Sequence, residues 1–570
     1  MGVNPATFSS AGQVSQHYIP GAYSRNNFIS NEGGGASTGN IAILGYSNLG
    51  EPGKLLIFGS DNDARAELAG GEGLEGVVQA FNPGNDLAPA EVGFIRVNQG
   101  TQSSRTLQKS AVDVFGIKSS IYGVPANQMR VKFSAGTNAG THQLQIEYKG
   151  ETEEFDNIEL KSISLQYTGA GSAATVTIDQ TKLVTAVTGG PGGEDLDITL
   201  ADYSTISELI DYINNQGVYD AVLLSPDETD SPEELDFVTA GDIFTSALTL
   251  KSDYQQIYEV LEASVYLSDI TKEGVNREVP EYDANYVYLT GATAGSYTTQ
   301  DFSDALEVLE QADVQLIATT STDAAVHILI KNHCVKMNSV TGRRERQFYV
   351  GGALGETVEE RVARANILNS SFGALCAPGF YGFDDSGNEK LYAPSFLACQ
   401  QVGMVSALAL NTPTTFKVPN VLAWENDYKT TEQNALIKGG VLTGAKDQKG
   451  LFKIIRSIST FQSPLLQKNE MSIMRETLYQ AADLRSRMEN ALIGTPNLGS
   501  KQLALVDSIF LRAIADWSGQ GIIVDNGGQL YSGYTRKIVG DQVVIEYNTW
   551  NTAPTNFVFI THNVSLLVQN

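Results

Sequence analysis

At 570 residues the chain is too long for one hydrophobic core, so we predict several domains. Hydrophobic residues make up 42% and charged residues 18%, a globular balance that excludes disorder, coiled coil and collagen as the main architecture. The net charge of −27 argues against direct binding to nucleic acid and against attraction to an anionic membrane. The sequence starts without a basic segment followed by an apolar one, and we expect neither a signal peptide nor membrane insertion.

The excess of acid lies in one segment of the chain. Between Glu151 and Glu310 there are 32 acidic and 5 basic residues, which together equal the net charge of the whole protein. We interpret this segment as a solvated outer surface. Calcium binding was the alternative, but the acidic runs at Asp227 and Phe383 lack the EF-hand spacing with glycine at the sixth position.

The first hundred residues predict an arm followed by α/β structure. Residues 1–30 form a polar, non-periodic arm, and the glycines at 33–35 suit a flexible joint. Short apolar runs begin at Ile41, Lys54 and Val92 and predict strands, with two helical segments between the second and third. Residues 31–100 are therefore assigned to an α/β core.

The pattern changes in residues 101–283. Apolar and polar residues alternate over several short segments with Gly and Asn between them, which predicts a half-buried antiparallel sheet. One helix is expected from Ser204. We therefore predict an all-β, or mainly β, acidic outer insertion in the core.

Helices and strands alternate again in residues 284–420, which completes a doubly wound, mixed α/β core together with residues 31–100. Residues 421–540 predict an α+β C-terminal domain whose long helix runs from Ser463 to Gly494. Two apolar-rich strands joined near Pro554 end the chain, and residues 541–570 are assigned to a second arm of extended strand.

The sequence contains matches to cofactor-binding and catalytic motifs, but the flanking elements are not those that the motifs require. Gly71–Gly76 matches GxGxxG but follows a helix and contains two glutamates, so a turn between helices is the better interpretation. Gly35–Gly39 matches GxSxG but precedes a strand, opposite to a nucleophile elbow. Neither the five histidines nor the three cysteines show ligand spacing. We predict no catalytic residue, no cofactor and no metal, and therefore no enzyme.

Taken in order, these segments resemble the contractile tail sheath proteins of bacteriophages and related injection systems. Ile19–Tyr23 is similar to an N-terminal Pro-Gly-Val-Tyr element of that family. The segment from Ile41 to Leu68 resembles its strand, turn, strand and helix. The most specific resemblance runs from Asn285 to Ile317, although Gly291–Gly295 lacks the acidic residue usual in this turn. Residues 101–283 correspond only by position to the family's variable outer domains.

The resemblance implies a structural subunit of a virion tail, assembled in the host cytoplasm. Such subunits would stack as six-fold rings around a tail tube and shorten from a metastable extended state to drive the tube through the host envelope. The implied partners are other copies in hexameric rings and a helical stack, the tail tube protein, and the baseplate and tail terminator proteins.

The resemblance also implies which residues make these contacts. Terminal arms would donate strands to neighbouring subunits, and the residues that we assign to this contact are Val14, Tyr18, Tyr23, Phe557, Phe559, Val564 and Leu566. The C-terminal region would face the tube, and there we expect a basic patch of Lys468, Arg475, Arg485 and Arg487. Unpaired apolar strands are aggregation hazards on their own, which independently favours pairing with another subunit.

Two alternatives remain open. The same chain could be the sheath of a tailocin or of another contractile injection system. A different class, a secreted carbohydrate-binding or hydrolytic protein that uses the β-rich insertion, would need a cleft with paired carboxylates and stacked aromatic rings.

Overall fold

The computed structural model describes residues 37–273, 277–496 and 499–564, together with the backbone of a short N-terminal hairpin. That hairpin consists of β1 (Ala6–Ser10) and β2 (Gln13–His17) in antiparallel register. No helix among the described residues combines the length and the apolar character that a bilayer span requires.

The core begins with an alternation of strands and helices. Its first elements are β3 (Ile41–Gly45), β4 (Leu55–Phe58), α1 (Asp61–Leu68), α2 (Glu72–Phe81) and β5 (Val92–Arg96). Helix α1 is capped by Ser60, whose hydroxyl accepts the N–H of Asp63, and it ends at Ala69 in the left-handed region. The glycine motif supplies the turn at Gly70 and Gly71, as the sequence predicts, while Gly73 lies inside α2.

The acidic insertion follows. Its elements are β6 (Gln102–Lys109), β7 (Val112–Tyr122), β8 (Arg130–Ala135), β9 (His142–Tyr148), β10 (Glu151–Ile158), β11 (Lys161–Tyr167), β12 (Ala173–Ile178), β13 (Lys182–Thr188), β14 (Asp197–Thr199), α3 (Ile206–Asn214), β15 (Tyr219–Leu223), β16 (Val238–Asp242), β17 (Leu248–Lys251), α4 (Asp253–Ala263), β18 (Leu267–Lys272) and β19 (Val287–Tyr288).

The insertion packs around two separate apolar clusters rather than one. Sheets β18-β7-β6 and β10-β9-β8-β19 pack with α4, and sheets β15-β11-β17 and β14-β13-β12-β16 pack with α3. The prediction of an all-β insertion is therefore wrong, because the insertion also contains the helices α3 and α4. The two helices form because each carries apolar residues on one face, such as Leu209 and Ile213 in α3, that cover an otherwise open sheet.

The insertion leaves and rejoins the core through a narrow neck. The N–H of Thr101 donates to the Thr293 carbonyl at 3.1 Å, and the N–H of Gln99 donates to the Ser296 carbonyl at 3.1 Å. The fully buried Arg96 donates to the carbonyl of Ala294 in the returning chain at 2.9 Å. The two ends of the insertion are thus hydrogen-bonded neighbours.

The chain then completes the core and continues to its C-terminal elements. The remaining core elements are α5 (Thr299–Leu309), β20 (Leu316–Thr319), α6 (Ala324–Met337), β21 (Gln347–Gly351), α7 (Val358–Leu368), β22 (Gly373–Ala377), β23 (Phe380–Phe383), β24 (Glu389–Tyr392), α8 (Pro394–Ala407), β25 (Ala423–Trp424), α9 (Thr430–Lys438), β26 (Val441–Lys446) and β27 (Phe452–Arg456). The last elements are α10 (Leu466–Asn469), α11 (Met471–Leu492), α12 (Ser500–Gly519), β28 (Tyr531–Val539) and β29 (Gln542–Thr549).

One large sheet organises the core, and its strand order among the described residues is β27-β26-β22-β21-β20-β3-β5-β4. The strands from β26 to β5 are parallel, and the edge strands β27 and β4 are antiparallel to their neighbours. Helices α2 and α8 cover one face, while α5, α6, α7 and α9 cover the other. The predicted mixed α/β class is confirmed, and the strands are buried on both faces as parallel sheets require.

Three boundaries differ from the sequence prediction. Strands β26 and β27 belong to the core sheet, although the sequence pattern places them in the C-terminal domain. The long helix predicted from Ser463 begins at Met471, because the chain is extended at Glu470. Strand β29, predicted as part of the second arm, pairs with β28 of the same chain.

Close contact between α2 and α8 depends on Gly403. A methyl group added there would lie 1.9 Å from the carbonyl oxygen of Ala80 in α2. We expect Gly403→Ala to lower the free energy of unfolding by about 1–3 kcal/mol, because the helices must separate. Urea unfolding of the purified chain measures this loss. Gly59→Ala is the matched control, since the nearest atom to its added methyl is 3.8 Å away; equal losses in both variants would contradict the prediction.

Candidate assembly interface

The C-terminal elements form a unit with its own aromatic core. The ring of Phe510 in α12 stacks on Tyr534 of β28 with centroids 4.2 Å apart, and Tyr547 of β29 packs edge-on against it at 5.0 Å. The buried Trp517 donates its indole N–H to Asp483 of α11 at 2.8 Å. Helices α11 and α12 therefore support the β28–β29 hairpin as a fixed platform.

The β28–β29 hairpin has open edges. Within the described residues the two strands pair only with each other, from Tyr531 opposite Thr549 to Val539 opposite Gln542. Each strand therefore has an outer row of backbone groups without a strand partner. Such edges accept an added strand, whether from this chain or from another copy.

The chain beyond the hairpin is apolar and exposed. Among the described residues 553–564 none is assigned to a strand. Phe557, Val558, Phe559 and Ile560 are 67%, 75%, 93% and 87% exposed, and Val564 is 78% exposed. A run of four large apolar residues in water is unfavourable, and contiguous exposed apolar surface marks an interaction site.

The predicted arm residues divide into those that the structure describes and those that it does not. Phe557, Phe559 and Val564 lie on this exposed segment. Val14 lies in β2, of which only the backbone is described. Tyr18, Tyr23 and Leu566 lie outside the described residues. Their contacts with a neighbouring subunit stay a prediction.

The first turns of α11 contact the chain at Thr38 and at Asn556. Arg475 donates to the carbonyl of Thr38, just after the N-terminal arm, at 3.2 Å, and to the carbonyl of Leu408 at 3.2 Å. Glu470, which precedes α11 and is fully buried, accepts from Asn556 Nδ2 at 3.0 Å and from Arg456 at 2.7 Å. One helix therefore holds the roots of both arms.

The predicted basic patch is mostly paired within the subunit. Arg485 forms a bidentate ion pair with Glu345 at 2.6 Å, and Arg487 pairs with Asp483 at 3.0 Å and with Asp516 at 2.7 Å. Arg475 is buried, and burial lowers its pKa to about 10. Only Lys468 of the four predicted residues is classed as exposed. The sequence could not show this, because Glu345 comes from a distant loop.

A different basic surface lies on α12. Its outward face carries Lys501, Leu505, Ser508, Leu511 and Arg512, all exposed. Neither Lys501 nor Arg512 has an ion-pair partner within 4 Å among the described residues. Sequence analysis missed this face, although the helical spacing of 501, 505, 508 and 512 was available as a signal.

Glu476 in α11 is fully buried and forms no ion pair among the described residues. Burial raises its pKa to about 9, well above the usual value near 4.3. Between these two values the folded protein keeps a proton that the unfolded chain releases. The stability contributed by this site is therefore present at low pH and falls as pH rises toward 9.

We expect Glu476→Gln to raise the free energy of unfolding by a few kcal/mol at pH 8, on the order of 1.4 kcal/mol per unit of pKa shift, because glutamine does not need to take up a proton on folding. At pH 4.5 we expect the free energy of unfolding to change little. Unfolding by urea across this pH range measures the difference. Glu489→Gln is the control, because that side chain is about half-exposed on the same helix. Parallel pH profiles for the wild type and Glu476→Gln would contradict the assignment.

Comparison with known proteins shows similarity to one family. Residues 295–460, which span α5 to β27, match the family model described as the phage tail sheath protein central domain. The tail sheath protein of Bacillus phage SP01 is 26% identical over 543 residues, which cover 91% of this chain and 90% of that protein. Over most of its length the chain is similar to phage tail sheath proteins. The resemblance drawn from the sequence is confirmed.

Two solved structures share the fold of this chain. The sheath tail protein from Desulfitobacterium hafniense superposes with a TM-score of 0.55 at 12% identity, covering 93% of this chain and 96% of that one. The sheath tail protein from Listeria innocua gives a TM-score of 0.56 at 11% identity, covering 91% and 96%. The relatives are tail sheath proteins, which are structural components of the virion, and this similarity favours a structural rather than an enzymatic role.

Proposed function

We propose that this protein is the repeating subunit of a contractile tail sheath. It polymerises with itself as stacked six-fold rings around a tail tube, and it shortens from a metastable extended state to drive the tube through the host envelope. Baseplate and tail terminator proteins bound the stack at its ends. A tailocin or another injection system would use the same subunit in the same way.

One observation carries this proposal: an exposed apolar segment next to a hairpin with open edges. Phe557 to Ile560 cannot remain in water at low free energy, and the hairpin edges need strand partners. Exchange of arms between copies satisfies both. A six-residue strand contributes about 1 kcal/mol per hydrogen bond, several kcal/mol in all before the entropy of ordering is subtracted.

The shared anchor on α11 supports the mechanical part of the proposal. Arg475 holds the chain at Thr38, which follows the N-terminal arm and its joint, and Glu470 holds Asn556 in the C-terminal arm; the two anchoring residues are only five apart in sequence. Tension on one arm therefore reaches the other through a single short stretch of helix. Subunits connected in this way can rotate as rigid bodies during contraction while the network of arms stays joined.

The first test is whether the arm contacts other copies. We expect Phe557→Ser with Phe559→Ser to prevent tube formation while the subunit stays folded, because both rings are exposed in the single chain. Burial of two such rings is worth a factor of about a hundred or more in association. Electron microscopy and sedimentation measure polymer yield against protein concentration.

The matched control for this test is Phe383→Ser, which removes a ring that is 60% exposed on the surface of the α/β core domain, away from the arm. We expect this variant to form hollow tubes with six-fold rings, as the wild type does. Wild-type tube yield from the double arm variant would contradict arm exchange. A wild-type chain that stays monomeric under all conditions would contradict the sheath itself.

The second test concerns the tube-facing surface, which we now assign to α12 rather than to the paired arginines of α11. We expect Lys501→Glu with Arg512→Glu to weaken co-assembly with the tail tube about tenfold or more at low salt, because an acidic tube surface would be repelled. Self-assembly of the sheath serves as the internal control. Arg485→Glu should instead destabilise the subunit, since Glu345 would lose its partner. Normal co-assembly of the Lys501→Glu, Arg512→Glu variant with the tail tube would refute the assignment of the tube-facing surface to α12.

A further inference from the structure

A cavity of about 430 Å³ opens at the carboxyl edge of the core sheet. It lies where the connections from two adjacent parallel strands diverge. The chain after β3 passes through β4 and α1 to α2 on one face, and the chain after β20 crosses to α6 on the other. In open α/β sheets such a switch point is where ligands bind.

Glycines at two strand ends shape the floor of this cavity. A methyl group on Gly45, the last residue of β3, would lie 2.6 Å from the Thr320 hydroxyl. A methyl group on Gly351, the last residue of β21, would lie 2.2 Å from the backbone nitrogen of Ser395. The start of α8 can therefore reach the sheet edge, and both Thr320 and Ser395 line the cavity.

Among the described residues at the floor of the cavity, Ser395 lacks a hydrogen-bond partner for its hydroxyl group. Its side chain is fully buried, and its hydroxyl has no hydrogen-bond partner among the described residues. Buried hydroxyl groups are almost always hydrogen-bonded, so an unmet one that lines a cavity indicates a missing partner. Thr320, which also lines the cavity, is 4% exposed.

The mouth of the cavity is acidic and aromatic. Glu72 and Asp323 line it and have no ion-pair partner within 4 Å among the described residues. Tyr297 is 43% exposed and packs edge-on against Phe302 with centroids 5.7 Å apart. No lysine, arginine or histidine is among the lining residues.

The neighbouring cations are already engaged. Arg364 donates to the Thr322 carbonyl at 3.1 Å and pairs with Glu356. Lys390 pairs with Glu75 at 2.5 Å. An anionic ligand would therefore meet two carboxylates without a free cation. A metal ion is also disfavoured, because the described residues contain no group of three side chains suited to hold one.

We propose that this cavity binds a small, uncharged, polyhydroxylated molecule of the size of one or two sugar rings. Its hydroxyl groups donate to Glu72 and Asp323 at the mouth and pair with Ser395 and Thr320 on the floor. The ring of Tyr297 covers its apolar face. The N-terminal ends of α5, α6 and α8 line the site and favour oxygen lone pairs over an ammonium group.

The test uses the full chain and a panel of neutral sugars: glucose, galactose, N-acetylglucosamine and maltose. Saturation-transfer NMR and calorimetric titration measure binding, with putrescine and acetate as charged probes of the same site. We expect at least one sugar to bind and neither charged probe to displace it. Absence of binding by every sugar, or displacement by a charged probe, would overturn the proposal.

Two variants locate the site. Thr299→Trp fills the exposed mouth and should reduce sugar affinity at least tenfold, while Gln300→Trp, one residue further along α5 and outside the lining, should not. Ser395→Ala should weaken binding several-fold with an unchanged or higher unfolding midpoint, because the unmet hydroxyl is removed. Wild-type affinity in Thr299→Trp, or equal effects of the two tryptophans, would show that the sugar does not bind here.

Discussion

The start of α11 buries charged side chains whose partners come from both ends of the polypeptide. Arg475 donates to the backbone carbonyls of Thr38 and Leu408. Glu470 accepts from Arg456 and from the Asn556 amide through Oε1, while its Oε2 has no hydrogen-bond partner among the described residues. Hydrogen bonds stabilise buried charge, so these contacts hold Thr38 and Asn556 against the start of α11. The large sheet, the helical platform and the exposed segment are all positioned relative to this point.

The core sheet supplies the rigidity on which such an anchor depends. Its parallel strands are covered on both faces, and helices α2 and α8 approach closely enough that Gly403 has no room for a side chain. Rigid packing of this kind transmits displacement rather than absorbing it. In the proposed sheath this packing would let the core move as one body during contraction.

Much of the fold could be predicted from the sequence because its signals are local. The buried strands at Ile41 and Val92 and the helix at Ser204 appear in hydrophobic periodicity and capping residues. Pairings between distant residues could not be predicted. The ion pair of Arg485 with Glu345 spans 140 residues, so a patch that looked free in the sequence is largely neutralised. Likewise nothing local shows that β27 joins the core sheet, because register and sheet membership depend on tertiary packing.

The neck of the insertion has a consequence for the evolution of such chains. Its two strands enter and leave as hydrogen-bonded neighbours, and a methyl group on Gly295 would lie 2.1 Å from the Gln99 carbonyl oxygen. Any module whose termini lie equally close together can be spliced at this junction without disturbing the body beneath it. Because 28 acidic and only 5 basic residues lie between Glu151 and Asp283, such a replacement would also change most of the surface charge of the subunit without altering its core.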